Sequence, residues 1–290
     1  MKAIQSFFLF DDFVPYCSEN EKKSNRRKQL LNFYTQLLSC LTITEHYKKP
    51  TMYTNQKAYD LYIKDIPYES VVVMDNFYGA DLWSVNKINV IKQMNDDFIH
   101  IDPDVFIFDR LFDDFETSKK YEIIVQDTVP PKNNHYRNFI YQNIGFFEKN
   151  PDVLLSPKTY DGKFVSCGTI GMKKELINGY IELTNLLLDG FFDKELIFPD
   201  QHSTPVIIEE LGMYYYLKKN DIDYMEILPY DKVLKTSNHE VGNLVKYTHL
   251  WGTSKYDDKI IQLIKKKINK KYPEYESLVN KYDKIIEGLK

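Results

Sequence analysis

Asp102-Pro103-Asp104 follows the apolar run Phe98-Ile99-His100-Ile101, and the chain turns apolar again at Val105-Phe106-Ile107-Phe108. Side chains at i and i+2 of an extended segment point to the same side. Asp102 and Asp104 can therefore converge on one hard cation, which takes oxygen ligands, and such a cation could hold a diphosphate. The competing reading is a solvated Asp-Pro turn. With 42 acidic residues in the chain, an Asp-x-Asp also arises by chance, and a second copy stands at Asp221-Ile222-Asp223. That copy precedes an apolar stretch, whereas Asp102 and Asp104 follow one. Ligand sites in open α/β sheets lie beyond the carboxyl ends of strands, which favours the first pair.

A second pattern, His-x-x-Gly-x-x-Lys, runs from His249 through Gly252 to Lys255. A neutral imidazole is a good ligand for a divalent transition metal. Gly252 lets the backbone approach a phosphate closely, and Lys255 would set a positive charge beside a diphosphate. The plainer reading is a loop histidine and a surface lysine. A partial copy at His239, Gly242 and Lys246, with the lysine one residue too far, shows how easily part of the pattern arises.

These residues need a scaffold that delivers them. Apolar runs predict strands over 2–10, 51–54, 71–74, 98–101, 121–125, 164–172 and 223–228. Helical spacing of apolar residues predicts helices over 20–41, 56–64, 80–94, 173–188 and 200–219, with partial helix over 133–149. Strand–helix alternation in the first 105 residues argues for a mostly parallel, Rossmann-like central sheet flanked by helices. No repeat or low-complexity linker divides the chain. The simplest organisation is one domain over 1–290, with a nucleotide-binding half over about 1–110, an acceptor and catalytic half over about 111–255, and a basic helical segment over 256–290.

Composition bounds the function. The chain has 290 residues, 43% hydrophobic, with a formal net charge of −4. Nothing in that balance suggests a nucleic-acid binder, which usually shows a strongly basic face. The 23 Tyr and 18 Phe read as compositional habit more than as sugar-stacking surfaces. Cys17, Cys40 and Cys167 show no zinc or disulfide spacing, which fits a reducing, cytoplasmic compartment. Residues 1–13 lack a signal-peptide cleavage region, and no run approaches the ~20 apolar residues that span a bilayer. Residues 255–271 hold seven lysines around Ile260, Ile261, Leu263, Ile264 and Ile268. Such a helix either lies on an anionic membrane as a peripheral contact or docks on the core with a solvated basic face.

Asp-x-Asp after an apolar strand, followed much later by His-x-x-Gly-x-x-Lys, resembles the retaining glycosyltransferases of the glycogenin and bacterial lipopolysaccharide galactosyltransferase type. The resemblance implies the GT-A fold, with a small antiparallel element near the active site. It also implies a nucleotide-sugar donor, UDP-sugar by default, used with Mn²⁺ or Mg²⁺ and with retention at the anomeric carbon. Asp102, Asp104 and His249 would hold the metal, with Gly252 and Lys255 at the diphosphate. Lys87 matches a basic residue near the donor sugar, and Ser166-Cys167-Gly168 matches a strand bordering it. The family's asparagine is missing there, and its Pro-Trp after the lysine is Tyr256-Asp257 here. Pro199-Asp200-Gln201 resembles the polar pair near the anomeric carbon. Asp200 is either a nucleophile or oxocarbenium stabiliser, or a helix N-cap. Asp127 is a further catalytic candidate, and fold analogy brings Gln5 and Ser6 to the nucleobase. The acceptor would be a glycan, glycolipid or other small molecule, as in polysaccharide biosynthesis. The alternative is a non-catalytic nucleotide- or carbohydrate-binding protein on the same fold. A nucleotidyltransferase is disfavoured, because the first strand leads into Phe10-Asp11-Asp12-Phe13 and not into a Gly-rich basic loop.

Overall fold

The computed structural model describes residues 1–10, 22–117, 120–129, 134–154, 156–158, 160–198, 203–228, 246–250 and 252–289. Among the described residues the nine strands are β1 (Lys2–Phe7), β2 (Thr51–Thr54), β3 (Ser70–Val73), β4 (Phe98–Ile101), β5 (Val105–Ile107), β6 (Ile123–Val129), β7 (Phe164–Met172), β8 (Tyr224–Glu226) and β9 (Tyr247–His249). Seven of them form a mostly parallel sheet in the order β3-β2-β1-β4-β7-β6-β8, flanked by helices, and β5 pairs with β9 in a small antiparallel ribbon. The mixed α/β architecture expected from strand–helix alternation is the one observed. Contacts group the chain into two units. One holds Ala3–Phe77, Ile101–Arg110 and Lys246–Lys290; the other holds Met1–Lys2, Tyr78–His100 and Leu111–Val245.

In the first unit, β1 pairs with β2 and β2 with β3, all parallel. The Lys22–His46 helix buries Leu30, Leu31, Phe33, Tyr34, Leu37, Leu38 and Leu41. The Asp258–Lys271 helix adds Ile261, Ile264 and Ile268 to the same core, and the Glu276–Glu287 helix adds Val279, Tyr282 and Ile286. Phe33 stacks on Tyr282 at 3.8 Å between ring centroids, and Tyr34 donates to Asp283 at 2.5 Å. Ile261, Ile264 and Ile268 of the apolar stripe are thus packed inside the protein, while Ile260 is half-buried and Leu263 is exposed. Lys259, Leu263, Lys266 and Lys270 face outward from that helix. Among the described residues, no helix is long and apolar enough to cross a membrane.

In the second unit, all nine residues of β7 are buried. A Cβ on Gly171 would stand 3.1 Å from Ile99 and 3.2 Å from Ile124, so glycine permits that close packing. β6 runs on to Val129 where the apolar run ended at 125, because β7 continues to pair it through Phe164. Asp127 consequently lies within the strand, beside a bulge that shifts register between Val125 and Asp127. The expected 80–94 helix is a 3-10 turn (Ala80–Val85), broken at Leu82, followed by an α-helix (Asn86–Ile91). The expected 200–219 helix contains a π turn at Ile207–Leu211.

Candidate functional site

Asp102 and Asp104 do not sit on an extended strand. The Val105 N–H donates to the Asp102 carbonyl at 3.0 Å, closing a β-turn with Pro103 at its second position, where proline's fixed φ is favourable. The Asp-Pro turn and the carboxylate site are therefore the same object, and turn geometry brings the two side chains together. The third residue arrives by strand pairing. In the β5–β9 ribbon Val105 faces His249, and the Leu250 N–H donates to the Asp104 carbonyl at 3.1 Å. Asp102, Asp104 and His249 each present one ligating atom, all within 4.8 Å of one another. Two carboxylates and an imidazole suit a divalent cation of the Mn²⁺ or Mg²⁺ class, the oxygen-rich set more than a thiolate-seeking one.

Asp104 is 8% exposed. Its Oδ1 lies 3.3 Å from His249 Nε2, and its Oδ2 lies 2.8 Å from Lys255 Nζ. Burial works against the charged carboxylate, but the Lys255 ammonium and the His249 hydrogen bond outweigh it and hold Asp104 well below the usual carboxylate range. Lys255 is carried by a 3-10 turn, Gly252–Tyr256. Gly252 opens that turn at φ +57°, and among the described residues no atom beyond its chain neighbours lies within 4 Å of where a Cβ would be. A left-handed backbone with open space beside it is what a close phosphate approach needs.

A polar network in the same unit sets the carboxylate turn. Ser39, on the Lys22–His46 helix, donates to the Val105 carbonyl at 2.6 Å. Gln5 is fully buried; its amide nitrogen donates to Ser39 Oγ at 2.8 Å and to the Asp102 carbonyl at 3.4 Å. Thr42 Oγ1 accepts from the Ile107 N–H at 3.3 Å. Gln5 thus touches the cation turn from behind, and Ser6 is half-buried on β1 opposite Tyr53. Ser39 and Thr42 were not singled out from sequence. The signal was there in the polar residues Gln36, Ser39 and Thr42, three apart among the apolar Leu37, Leu38, Cys40 and Leu41.

The second unit contains Lys87, Asp127 and Gly168. Lys87 Nζ pairs with Glu209 at 2.5 Å and donates to the Cys167 carbonyl at 2.7 Å, all within the buried interior. Gly168 lies next to that carbonyl in β7, and Asp127 is 3% exposed opposite Ser166. The π turn also carries Glu210, which accepts a hydrogen bond from Tyr136. Burial, followed by the Glu209 and Asp127 charges, pushes Glu210 up to about 8, against the Tyr136 hydrogen bond and the Lys87 charge. Burial and then Lys87 drive His100 well below its ordinary value, so it is neutral. Glu209 and Glu210 were also missed, since nothing in Ile207-Ile208-Glu209-Glu210-Leu211 distinguishes a π turn from an ordinary helix. Asp200 and Gln201, and the His239/Gly242 copy, lie outside the described residues. In the second Asp-x-Asp, Asp221 and Asp223 are both exposed.

The chain belongs to a family of unknown function (DUF6734), whose model matches residues 1–286. No curated protein matches it in sequence. Among solved structures it is similar to mouse xyloside xylosyltransferase 1 in its apo form, at 12% identity and TM-score 0.37, over 72% of this chain and 81% of that one. It is similar to CMP:2-keto-3-deoxy-manno-octonic acid synthetase complexed with CTP at 8% identity and TM-score 0.36, over 78% and 89% of the two chains. A third is the mannosyltransferase Ktr4p from S. cerevisiae, at 10% identity and TM-score 0.36, over 77% and 68%. At these scores the likeness carries nothing about activity.

Proposed function

We propose that this protein is a divalent-cation-dependent glycosyltransferase that moves a sugar from a nucleotide-sugar donor, UDP-sugar by default, to a glycan, glycolipid or other small acceptor. The observation that carries the proposal is the Asp102, Asp104 and His249 ligand group with Lys255 beside it. Asp102, Asp104 and His249 would hold the cation. When bound, a divalent cation neutralises the negative charge that develops on a departing diphosphate. Lys255 would add positive charge at the same place, and charge set against a developing negative charge in a closed site is usually a large catalytic term. The Gly252 turn would admit a phosphate to the backbone. Gln5, Ser39 and Thr42 would keep the carboxylate turn in register, so that the turn's backbone reorganises little on binding.

Retention at the anomeric carbon is part of the proposal by resemblance. So are the donor-sugar roles of Lys87 and Gly168, the catalytic roles of Asp127, Asp200 and Gln201, and nucleobase roles for Gln5 and Ser6. One observation favours the second reading, a non-catalytic nucleotide-binding protein. Lys87, expected beside the donor sugar, is engaged in a buried pair with Glu209 and the Cys167 carbonyl.

A thermal-shift panel of UDP, GDP, CDP and TDP, each with and without Mn²⁺, tests the shared part of both readings. A ligand at ~100 times its dissociation constant stabilises by ~2.7 kcal/mol. No shift with any pair would sink the nucleotide site. Mn²⁺-dependent hydrolysis of the donor then separates enzyme from binding protein.

A further inference from the structure

Both carboxylate oxygens of Asp104 are engaged, one by the Lys255 ammonium at 2.8 Å and the other by His249 Nε2 at 3.3 Å. Those are the atoms a cation would need. We propose that Lys255 is a displaceable counter-ion of Asp104, and that its transfer from Asp104 to a diphosphate couples cation binding to diphosphate binding. The inference rests on the reading of this site as one for a cation and a diphosphate.

A divalent cation held by Asp104 and His249 would stand within a few ångströms of the ammonium, and like charges that close repel strongly in a poorly solvated site. The lysine must leave. Its side chain is 17% exposed, so losing Asp104 without gaining another anion takes an ion-pair partner from a largely desolvated charge. A cation arriving alone therefore binds against this loss. A diphosphate arriving alone must draw Lys255 away from Asp104 and then face the carboxylates of Asp102 and Asp104. When both arrive, the cation takes the carboxylates, the ammonium takes the phosphates, and every charge is paired.

The local structure suits such an exchange. Lys255 sits in a single 3-10 turn beside the open left-handed position at Gly252, and the lysine stem is flexible with a compact, rotatable head. A lysine acting only as a permanent tie for the loop would behave differently. It would stay on Asp104 in every liganded state, and its removal would loosen cation binding.

Calorimetric titration of MnCl₂ into the full chain tests this, with and without saturating UDP or inorganic pyrophosphate and with UMP as a control. By linkage, whatever factor UDP applies to Mn²⁺ affinity, Mn²⁺ applies to UDP affinity, and such factors typically run ~5–150-fold. Coordination of Mn²⁺ by the phosphates contributes coupling in any variant, so the diagnostic is a comparison. Lys255→Met should bind Mn²⁺ alone about 5-fold tighter than wild type, with a smaller gain from UDP or pyrophosphate, since a coupling energy has been removed. Lys255→Arg, whose planar fork grips a carboxylate more firmly, should bind Mn²⁺ alone more weakly than wild type. Met and Arg thus push in opposite directions, and either one that folds, judged by circular dichroism, decides the matter. Equal or weaker Mn²⁺ binding by Lys255→Met, or tighter binding by Lys255→Arg, overturns the counter-ion role while leaving the site intact. Wild-type protein that binds neither Mn²⁺ nor UDP overturns the proposed function, and this inference with it.

Discussion

Replacing Asp104 tests the electrostatics of the site without any ligand. The carboxylate is nearly buried and serves two partners, Lys255 and His249. Deleting one member of a fully buried pair costs about 3–5 kcal/mol, because the other charge is left uncompensated. Lys255 retains 17% exposure and His249 14%, so partial solvation lowers the expected loss for Asp104→Ala to about 2–3 kcal/mol. That is a large share of a total stability of roughly 5–15 kcal/mol. Ligand-binding assays on this variant must therefore be run well below its melting temperature. Asp104→Asn keeps the shape and removes only the charge. Adding Lys255→Met removes the stranded cation, and the double-mutant cycle should return a coupling of about 1.5–2 kcal/mol. The pH dependence has a defined sign. Asp104 is held below its ordinary value, so its contribution is fully present above pH 3.8 and is lost as pH falls through the native value. Urea denaturation followed by circular dichroism measures the wild type, both Asp104 variants, Lys255→Met and the double variant. A single-variant loss under about 0.5 kcal/mol, or additivity of the two changes within ~0.3 kcal/mol, would refute the pairing argument.

Glu210 predicts the opposite pH behaviour. Its native carboxyl holds a proton up to about 8, so the stability it contributes is fully present below its ordinary 4.5 and is lost as pH rises through 8. Glu210→Gln should remove about 2–3 kcal/mol of the decline in stability between pH 5 and pH 9, after discounting for its partial exposure; an unchanged slope in urea melts counts against the assignment. Ser39→Ala strips the Val105 carbonyl of its buried donor and should cost about 1–2 kcal/mol, together with weaker Mn²⁺ binding. Unaltered Mn²⁺ titration would remove Ser39 from the positioning network. Ile268→Ala should cost about 2–5 kcal/mol as a core cavity, and a loss below ~0.5 kcal/mol would show that the C-terminal helix is not part of the core.

Much of the fold was legible because its signals are local. The strands at 51–54, 98–101 and 164–172 fall where the apolar runs stand, bounded by polar or turn residues. The helix over 20–41 was visible in the spacing of Leu30, Leu31, Tyr34, Leu37, Leu38 and Leu41, although it extends to His46. The π turn at Ile207–Leu211 and the break at Leu82 were not visible, since both depend on hydrogen-bond register and leave the apolar period intact. The continuation of β6 to Val129 comes from its partner strand, which no local pattern reports.

The residues of the cation site were nameable from spacing alone, because a strand end, a pair of carboxylates and a glycine-flanked histidine and lysine are all short-range patterns. Asp102 and Asp104 converge through a hydrogen-bonded turn and not through the i, i+2 geometry of an extended strand. Three things were settled only by the tertiary structure. Pairing of β5 with β9 carries His249 across about 145 residues to Asp104. Lys255 reaches the same carboxylate and becomes its counter-ion, where sequence assigned it only to phosphate. Ile261, Ile264 and Ile268 go into the core, although the same amphipathic pattern would serve a membrane surface. A sequence specifies which groups are available and how far apart they lie along the chain. Which groups share a charge or a core is decided by long-range packing, where the energies of burial and pairing are set.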